Sequence, residues 1–503
     1  MPEASPSFLF SAMKLSDPLV RDLRRMNPWW EGLPSKPQPE TRRHLVRSIQ
    51  KRLNAKVAPI VVVRGPRQIG KTTAQMQVLE DLLSSGVEPR RILRVQTDEL
   101  VEIEKLSEPI LRIVDWFETS ILGMSLNEAA KVGRPATIFL DEVQNLKDWA
   151  PQLKHLVDNS AVQILVTGSS ALRIGLGRDS LAGRISTIEA GVLSLTEIGL
   201  FQGLGALEPG LRDNGLEPLV EHGFWHSLLE SGRKNSEFRD NAFRAFSERG
   251  GYPFGHERRE LPWAQVADHL NETVIKRVIE HDLRVGERGR KRDQSLLEEL
   301  FRMACRYVGQ TPGYALFARE TKRSLDANIG SQRVRQYLRF LSDTLLIRLV
   351  EPLEIRLKQR RGNSKICLAD HGLRASWLQE IIPLDPRELE KNPHLTTLAG
   401  HLAESAVGAL LATIPALDLA HLPARGDDPE VDFILTVGTR RIPLEVKYQR
   451  RIDPLADTEG LRAFIEKKVN NAPFGLLICQ TEVSEVIDPR IVTIPLSSFM
   501  LLR

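Results

Sequence analysis

Residues 60–73 read Ile-Val-Val-Val-Arg-Gly-Pro-Arg-Gln-Ile-Gly-Lys-Thr-Thr. The run Ile60–Val63 is apolar and β-branched, which predicts a buried strand, and a helical pattern begins at Thr72. Between them, residues 65–72 match G-x-x-x-x-G-K-[ST] in full. In this strand–loop–helix context the match predicts a phosphate-binding loop, because loop N–H groups and the helix N-terminus face an anion. A chance match in a glycine-containing loop is the alternative.

The loop predicts a site for ATP and Mg²⁺. Lys71 is expected to reach the β- and γ-phosphates, and the Thr72 hydroxyl to ligate magnesium. The glycines let the backbone wrap an anion without a Cβ in the way. The predicted nucleotide-binding residues are Gly65, Pro66, Arg67, Gln68, Ile69, Gly70, Lys71, Thr72 and Thr73.

A second apolar run, Thr137–Leu140, ends in the two acids Asp141 and Glu142. Asp141 is expected to hold the magnesium beside Thr72, and Glu142 to orient and polarise the attacking water. The alternative is that both acids are favourable charges in the first turn of a helix.

The run Ile164–Val166 leads into Thr167-Gly168-Ser169-Ser170. Thr167, or failing that Ser169, is predicted to sense the γ-phosphate; capping of the next helix explains the same residues equally well.

Arg184 follows in Leu181-Ala182-Gly183-Arg184. It is predicted to act catalytically by reaching the nucleotide of a neighbouring subunit and stabilising the transition-state charge. That role requires a homo-oligomer, and a surface salt bridge is the alternative.

Length and composition set broad limits. A chain of 503 residues predicts two to four domains at roughly 100–200 residues each. The formal net charge of +4 is small, so any argument for nucleic-acid binding must come from local patches. Three widely separated cysteines favour a reducing compartment and exclude a zinc or disulfide pattern. Without a basic leader or an apolar run of ~18 residues, we expect a cytoplasmic protein with no membrane partner.

Pattern changes along the chain predict five segments. The chain contains five short runs of strand character, Ile60–Val63, Ile92–Val95, Thr137–Leu140, Ile164–Val166 and Thr187–Glu189. Their alternation with helical stretches predicts a parallel sheet covered on both faces, in an α/β domain of the P-loop type. The predicted segments are a proline-rich N-terminal arm (1–40), the ATPase domain (41–195), a helical lid or linker (196–290), a winged-helix-like domain (291–375) and an α/β C-terminal domain (376–503).

The winged-helix prediction depends on two helical patterns, Leu316–Ser324 and Ser331–Asp343, followed by an apolar strand, Leu345–Val350. Basic residues near the wing are expected to contact DNA phosphates, although such modules also serve as spacers. They are Lys358, Arg360, Arg361 and Lys365. A second basic cluster fits a hydrated linker equally well; it comprises Arg284, Arg288, Arg290, Lys291 and Arg292.

The C-terminal carboxylates form a second candidate metal site. Strand alternation sends Glu445 and Lys447 to one face, where Glu445 and an Asp432 opposite it would share a divalent metal and Lys447 would orient water. Glu404, on a predicted helix, would add a carboxylate. This is the (Asp)…Glu-x-Lys constellation of restriction-endonuclease-like nucleases, although such modules also persist as binding platforms.

Taken in order, GPRQIGKT, IFLDEVQN, VTGSS and SLAGR resemble a group of bacterial and archaeal AAA-type ATPases. The resemblance continues in SKICLAD, EVDF and LEVK and covers most of the chain from about residue 41, with a looser match over 200–250. It implies an ATPase domain, a helical lid, a DNA-binding winged helix and a restriction-endonuclease-like C-terminal module.

Three functions follow as hypotheses. The first is an ATP-driven switch or motor that acts on or near DNA. The second is a metal-dependent nuclease regulated by ATP, and the third is a non-enzymatic ATP-binding scaffold.

Overall fold

A computed structural model describes residues 15–168, 181–211, 215–282, 294–326, 329–354, 362–424, 426, 429–482 and 488–503. The described chain divides into two compact units. The first contains residues 15–64, 71–168 and 181–188, and the second contains residues 65–70 and the described residues from 189 onward.

The strands of the sheet in the first unit are β1 (Ile60–Arg64), β2 (Ile92–Gln96), β3 (Thr137–Asp141), β4 (Gln163–Gly168) and β5 (Ile185–Glu189). Their order in the sheet is β2-β3-β4-β1-β5, and the pairs β1/β4, β2/β3 and β3/β4 are parallel. All five predicted apolar runs are strands. Strands β1 to β4 are almost wholly buried, because both faces of a parallel sheet are covered.

Helices alternate with these strands, as the sequence pattern predicts. The helix after β1 begins at Lys71, one residue before the predicted start. The helices are Asp17–Met26, His44–Ala55, Lys71–Ser84, Pro109–Phe117, Leu126–Lys131 and Trp149–Asn159.

The N-terminal arm is partly helical. Helix Asp17–Met26 starts at Ser16, whose side chain accepts from Leu19 N, and it buries Leu19 and Leu23. The indole N–H groups of Trp29 and Trp30 then donate to the carbonyl of Ile92 at 3.2 and 2.8 Å. The tryptophans therefore dock the arm against β2.

The second unit begins with helices. Helix Trp263–Leu270 continues with π-helical turns over Asn271–Lys276 and Val278–Asp282. The α-helices up to residue 343 are Leu195–Phe201, His222–Lys234, Ser236–Arg249, Pro253–Glu257, Trp263–Leu270, Gln294–Arg306, Tyr314–Leu325 and Ser331–Asp343.

The strands of the sheet in the second unit are β6 (Ile347–Pro352), β7 (Lys365–Leu368), β8 (Asp418–Leu422), β9 (Val431–Val437), β10 (Arg440–Lys447), β11 (Gly475–Cys479) and β12 (Ile491–Pro495). Their order in the sheet is β12-β11-β10-β9-β8-β6-β7. Its helices are His371–Leu378, Pro386–Lys391, Thr396–Leu411, Glu459–Glu466 and Leu496–Phe499.

The antiparallel pair β6/β7 follows helices Tyr314–Leu325 and Ser331–Asp343. However, β6 also pairs with β8 in parallel. The sheet therefore continues across residue 375, where the sequence predicts a domain boundary.

None of the helices that the structure describes is long and apolar enough to cross a membrane.

Candidate nucleotide site and C-terminal carboxylate cluster

The loop between β1 and helix Lys71–Ser84 has the backbone that its glycines predict. Gln68 and Gly70 have φ values of +61° and +83°. Both lie in the left-handed region, which glycine adopts without steric cost and which therefore favours a glycine at residue 70. A Cβ on Gly65 would lie 2.3 Å from the carbonyl oxygen of Ala190 and 2.6 Å from Ile69 Cδ1. Any side chain at residue 65 would therefore force the loop to shift.

Thr72 and Asp141 meet in the first unit. The Thr72 hydroxyl donates to Asp141 Oδ2 at 2.8 Å, and the Asp141 side chain is buried at 1% exposure. Burial raises the pKa of Asp141, whereas hydrogen bonds from Thr167 and Thr72 and the Arg94 guanidinium lower it. An exposed hydroxyl beside a carboxylate is an oxygen pair that fits Mg²⁺.

Glu142 follows Asp141 in a left-handed conformation, with φ +53°. That conformation is uncommon outside glycine, and three hydrogen bonds hold it. Glu142 N donates to Asp141 Oδ1 at 3.1 Å, the Thr97 hydroxyl donates to the Glu142 carbonyl at 2.7 Å, and Gln144 Nε2 donates to the Glu142 carboxylate. The turn therefore fixes the side chain of Glu142 immediately after the end of β3.

Thr167 lies at the end of β4 and is fully buried. Its hydroxyl donates to Asp141 Oδ1, so in this structure it orients the carboxylate. Ser169, the second predicted sensor, lies outside the described residues.

Arg94 is a site residue that the sequence analysis missed. It lies on β2 with a side chain that is 8% exposed, and its Nη2 is 3.5 Å from Asp141 Oδ2. Its guanidinium also donates to Gln75 Oε1 at 3.2 Å and to Gln96 Oε1 at 2.7 Å. Burial lowers the pKa of Arg94, and the Asp141 charge opposes that effect. The signal was a single charged residue inside the apolar run Ile92–Val95.

Arg184 is paired within the first unit. Its Nε and Nη2 atoms donate to the two carboxylate oxygens of Asp158 at 2.5 and 3.0 Å. Both side chains are about one-third exposed, so the structure shows the surface salt bridge that the sequence left open as the alternative.

The structure brings the four predicted C-terminal residues together in the second unit. Lys447 Nζ donates to Glu445 Oε1 at 2.8 Å, as strand alternation predicts. Asp432 N lies 3.4 Å from Glu445 Oε2, and Val446 N donates to Asp432 Oδ2 at 2.9 Å. Glu404, on helix Thr396–Leu411, reaches the same cluster through a lysine.

That lysine is Lys365. Its Nζ donates to Asp432 Oδ1 at 2.8 Å and to the Glu404 carboxylate. The expectation that Lys365 faces DNA from a wing is wrong, because its side chain is only 2% exposed and paired with buried acids. The other predicted wing cations, Lys358, Arg360 and Arg361, lie outside the described residues, as does the cluster from Arg284 to Arg292.

Burial and mutual repulsion set the ionisation of these acids. Burial and the Asp432 charge raise the pKa of Glu445 to about 8. Burial and Asp432 also raise the pKa of Glu404 well above its ordinary value. Burial alone would raise the pKa of Asp432, but the Lys365 ammonium and hydrogen bonds from Glu404 and Lys365 lower it overall. Asp432 is therefore the ionised partner of Lys365.

These residues do not fit a divalent metal. Among the side chains that the structure describes, no group of three or more His, Cys, Asp or Glu residues is arranged to hold a metal ion. The acid oxygens are instead committed to cationic donors, because Asp432 Oδ1 accepts from Lys365 and Glu445 Oε1 accepts from Lys447.

Comparison with known proteins gives two family matches. Residues 57–199 match a family model described as an AAA domain, and residues 240–383 match a domain of unknown function. Uncharacterised proteins of Mycobacterium tuberculosis and Mycobacterium bovis are each 25% identical over 395 residues, 78% of this chain and 70% of the relative. An uncharacterised protein of Methanocaldococcus jannaschii is 27% identical over 232 residues, 45% of this chain and 44% of the relative.

A solved structure described as "Structural Basis for Katanin Self-Assembly" aligns with a TM-score of 0.26 and 15% identity, over 39% of this chain and 66% of that chain. A likeness at that TM-score carries no argument. The family match agrees with the loop Gly65–Thr73, the parallel sheet and the pairing of Thr72 with Asp141. Residues 57–199 therefore resemble an AAA domain in both sequence and fold.

Proposed function

We propose that this protein binds ATP with Mg²⁺ at residues 65–73, hydrolyses it, and couples the cycle to a conformational change on or near DNA. The observation that carries the proposal is the 2.8 Å hydrogen bond between Thr72 and Asp141, with Glu142 immediately after it. A P-loop threonine beside an acid at the end of a neighbouring strand is the arrangement that holds magnesium in P-loop ATPases.

Each residue has a distinct part in this proposal. The loop amides and Lys71 bind the phosphates. Thr72 and Asp141 would hold Mg²⁺, which supplies positive charge against the phosphate oxygens. Glu142 accepts a hydrogen bond from the attacking water and orients it. Thr167 and Arg94 position Asp141 through their contacts with its carboxylate.

Arg184 is proposed to act on the nucleotide of a second subunit. Such an arginine stabilises charge that develops on the transferred phosphoryl group. It must first exchange its two hydrogen bonds with Asp158 for contacts with phosphate oxygens. This part of the proposal requires a homo-oligomer.

Contact with DNA is proposed for helix Ser331–Asp343. Val334, Leu338 and Leu341 are buried, whereas Arg333, Arg335 and Arg339 lie on exposed positions. With the preceding helix Tyr314–Leu325 and the pair β6/β7, this order of elements is that of a winged helix, and its cationic face suits phosphate contacts.

The nuclease alternative requires a metal at the carboxylate cluster, and the side chains described there do not fit one. The scaffold alternative is separated by turnover. Phosphate release should be measured with no DNA, with single-stranded DNA and with double-stranded DNA, with a reaction that lacks the protein as the blank. A rate of ATP hydrolysis that rises with DNA would support the proposal. A rate that DNA leaves unchanged would contradict the proposed action on DNA, and no hydrolysis above the blank would favour a scaffold.

The DNA contact has its own variants. Arg335→Glu/Arg339→Glu should weaken DNA binding and flatten its dependence on salt, by about 0.9 in the log–log slope per lost phosphate contact. Arg90→Glu/Arg134→Glu makes the same charge change at exposed positions of the first unit and should leave DNA binding unchanged. Equal losses in both double variants would reduce the effect to net charge.

A further inference from the structure

The C-terminal sheet has a cation of its own, supplied by Lys365 on β7. Its ammonium donates to Asp432 Oδ1 at 2.8 Å and to the Glu404 carboxylate, and Glu430 Oε1 lies 3.7 Å away. It therefore touches the acids that would otherwise converge on a metal.

The ammonium is held in place from several sides. Lys365 pairs with Val350 of β6, and the next residue, Ile366, exchanges backbone hydrogen bonds with residues 309 and 310. The Nζ atom also lies 5.2 Å from the centroid of the Phe433 ring, a cation–π distance. With a side chain that is 2% exposed, the lysine has no solvated position within easy reach.

The acid oxygens are also committed. Asp432 Oδ1 accepts from Lys365, and Asp432 Oδ2 accepts from Val446 N. Glu445 Oε1 accepts from Lys447. A divalent ion bound by Asp432 would displace these donors and would lie beside a buried ammonium, where charge repulsion is poorly screened.

We propose that the Lys365 ammonium takes the place of a divalent cation between Asp432 and Glu404, so that this module has a metal-free ion-pair core instead of a nuclease centre. The module then serves as a binding or structural platform. The inference is independent of the ATPase, because all the residues that carry it lie in the second unit.

The test is Mn²⁺ binding to the full chain, followed by the electron paramagnetic resonance signal of free Mn²⁺. All variants carry Thr72→Ala and Asp141→Asn, which silence the nucleotide site. In the chain that keeps Lys365, Mn²⁺ binding should be the same with and without Asp432→Asn. The Lys365→Met chain should bind one additional equivalent of Mn²⁺, at least tenfold more tightly than the chain that keeps Lys365. Adding Asp432→Asn to Lys365→Met should abolish this additional binding.

Lys447→Met is the matched control, because it removes the other ammonium of the cluster with the same change of charge. It should give no gain in Mn²⁺ binding. Binding that depends on Asp432 in the chain with Lys365 would overturn the proposal. So would a folded Lys365→Met chain that binds no Mn²⁺.

If Lys365→Met does not fold, Lys365→Met/Asp432→Asn keeps the proposal open to refutation. Removing both charges should restore much of the stability that Lys365→Met loses, because no ionised acid is then left beside an empty cation position. A double variant no more stable than the single one would contradict the pairing. Mn²⁺-dependent plasmid nicking should be the same with and without Asp432→Asn.

Discussion

Thr72 and Asp141 are 69 residues apart in the chain, yet the hydroxyl of one donates to the carboxylate of the other at 2.8 Å. The contact is possible because β3 ends beside the start of helix Lys71–Ser84. Thr72 is exposed whereas Asp141 is buried, so the pair presents oxygen atoms from the edge of the sheet outward.

Lys71→Ala should weaken ATP binding at least tenfold, a loss of about 1.4 kcal/mol or more, because the ammonium contacts the β- and γ-phosphates. Isothermal titration calorimetry measures the affinity, and phosphate release measures turnover. Lys131→Ala, at an exposed helix position, is the control and should behave as the unaltered chain. Normal turnover by Lys71→Ala would show that the site is wrongly assigned.

Glu142→Gln should keep ATP bound and lower hydrolysis about 100-fold or more, the range of a lost general base. The amide oxygen still accepts from Gln144 Nε2, as the carboxylate does, so the turn is preserved. ATP should then co-elute with the protein in gel filtration, where the unaltered chain releases ADP. Glu88→Gln, an exposed acid of the same unit, is the comparison; hydrolysis retained in Glu142→Gln would remove this residue from the mechanism.

Arg94→Met should lower the melting temperature of the first unit by about 6–12 °C. The change leaves Asp141 buried without its cation, which costs about 3 kcal/mol, and a unit of this size shifts by about 2–4 °C per kcal/mol. Calorimetry of the nucleotide-free protein measures it. Arg94→Met/Asp141→Asn should recover most of the loss, and a double variant as unstable as the single one would show that Arg94 acts by packing alone.

Arg184 and Asp158 can be separated by comparing two alanine variants. If Arg184 serves a neighbouring subunit, Arg184→Ala should lower turnover by about 10³-fold. Asp158→Ala frees the guanidinium and should keep turnover. If the pair only joins Arg184 to helix Trp149–Asn159, both variants should lose similar stability with no change in turnover measured by phosphate release.

The elements of the candidate nucleotide site were largely predictable because their signals are local. The run Ile60–Val63 predicts a strand, the glycines of the loop predict a tight turn, and the acids after Leu140 predict the end of a strand. Each of these signals lies within a few residues of the feature that it predicts. The roles of Arg94 and Lys365 were not predictable, since each depends on which strands pair. Arg94 meets Asp141 across 47 residues, and Lys365 meets Asp432 across 67.

A shared signal was nevertheless present at both positions. Arg94 and Lys365 are single cations in or beside short apolar strand runs, and a buried cation requires a buried acid. The prediction that Lys365 lies on the surface was wrong because it relied on the nearby arginines. It did not take into account the apolar residues that follow, Ile366, Cys367 and Leu368. The helix Asp17–Met26 was missed for the opposite reason, since prolines on either side obscured a capped amphipathic repeat.

His256 is expected to make the stability of the second unit depend on pH. Its side chain is 2% exposed, its Nε2 lies 2.8 Å from the Gly250 carbonyl, and its Nδ1 lies 3.0 Å from Gln202 Nε2. These contacts satisfy a neutral ring that donates from Nε2 and accepts at Nδ1. Burial lowers the pKa of His256 to about 4 against the hydrogen bond to Gly250, and the nearby Arg249 and His371 lower it further.

Between pH 6.5 and 4 the unfolded chain binds a proton at His256 and the folded chain does not. The contribution of His256 to the free energy of unfolding is therefore fully present above pH 6.5 and is lost as the pH falls toward 4. The loss should be about 2 kcal/mol at pH 5. His256→Gln removes the titration and keeps a donor for Gly250, so its melting temperature should fall less between pH 7 and 5 than that of the unaltered chain. Parallel pH curves for the two proteins would show that the pKa of His256 is the same in the folded and unfolded states.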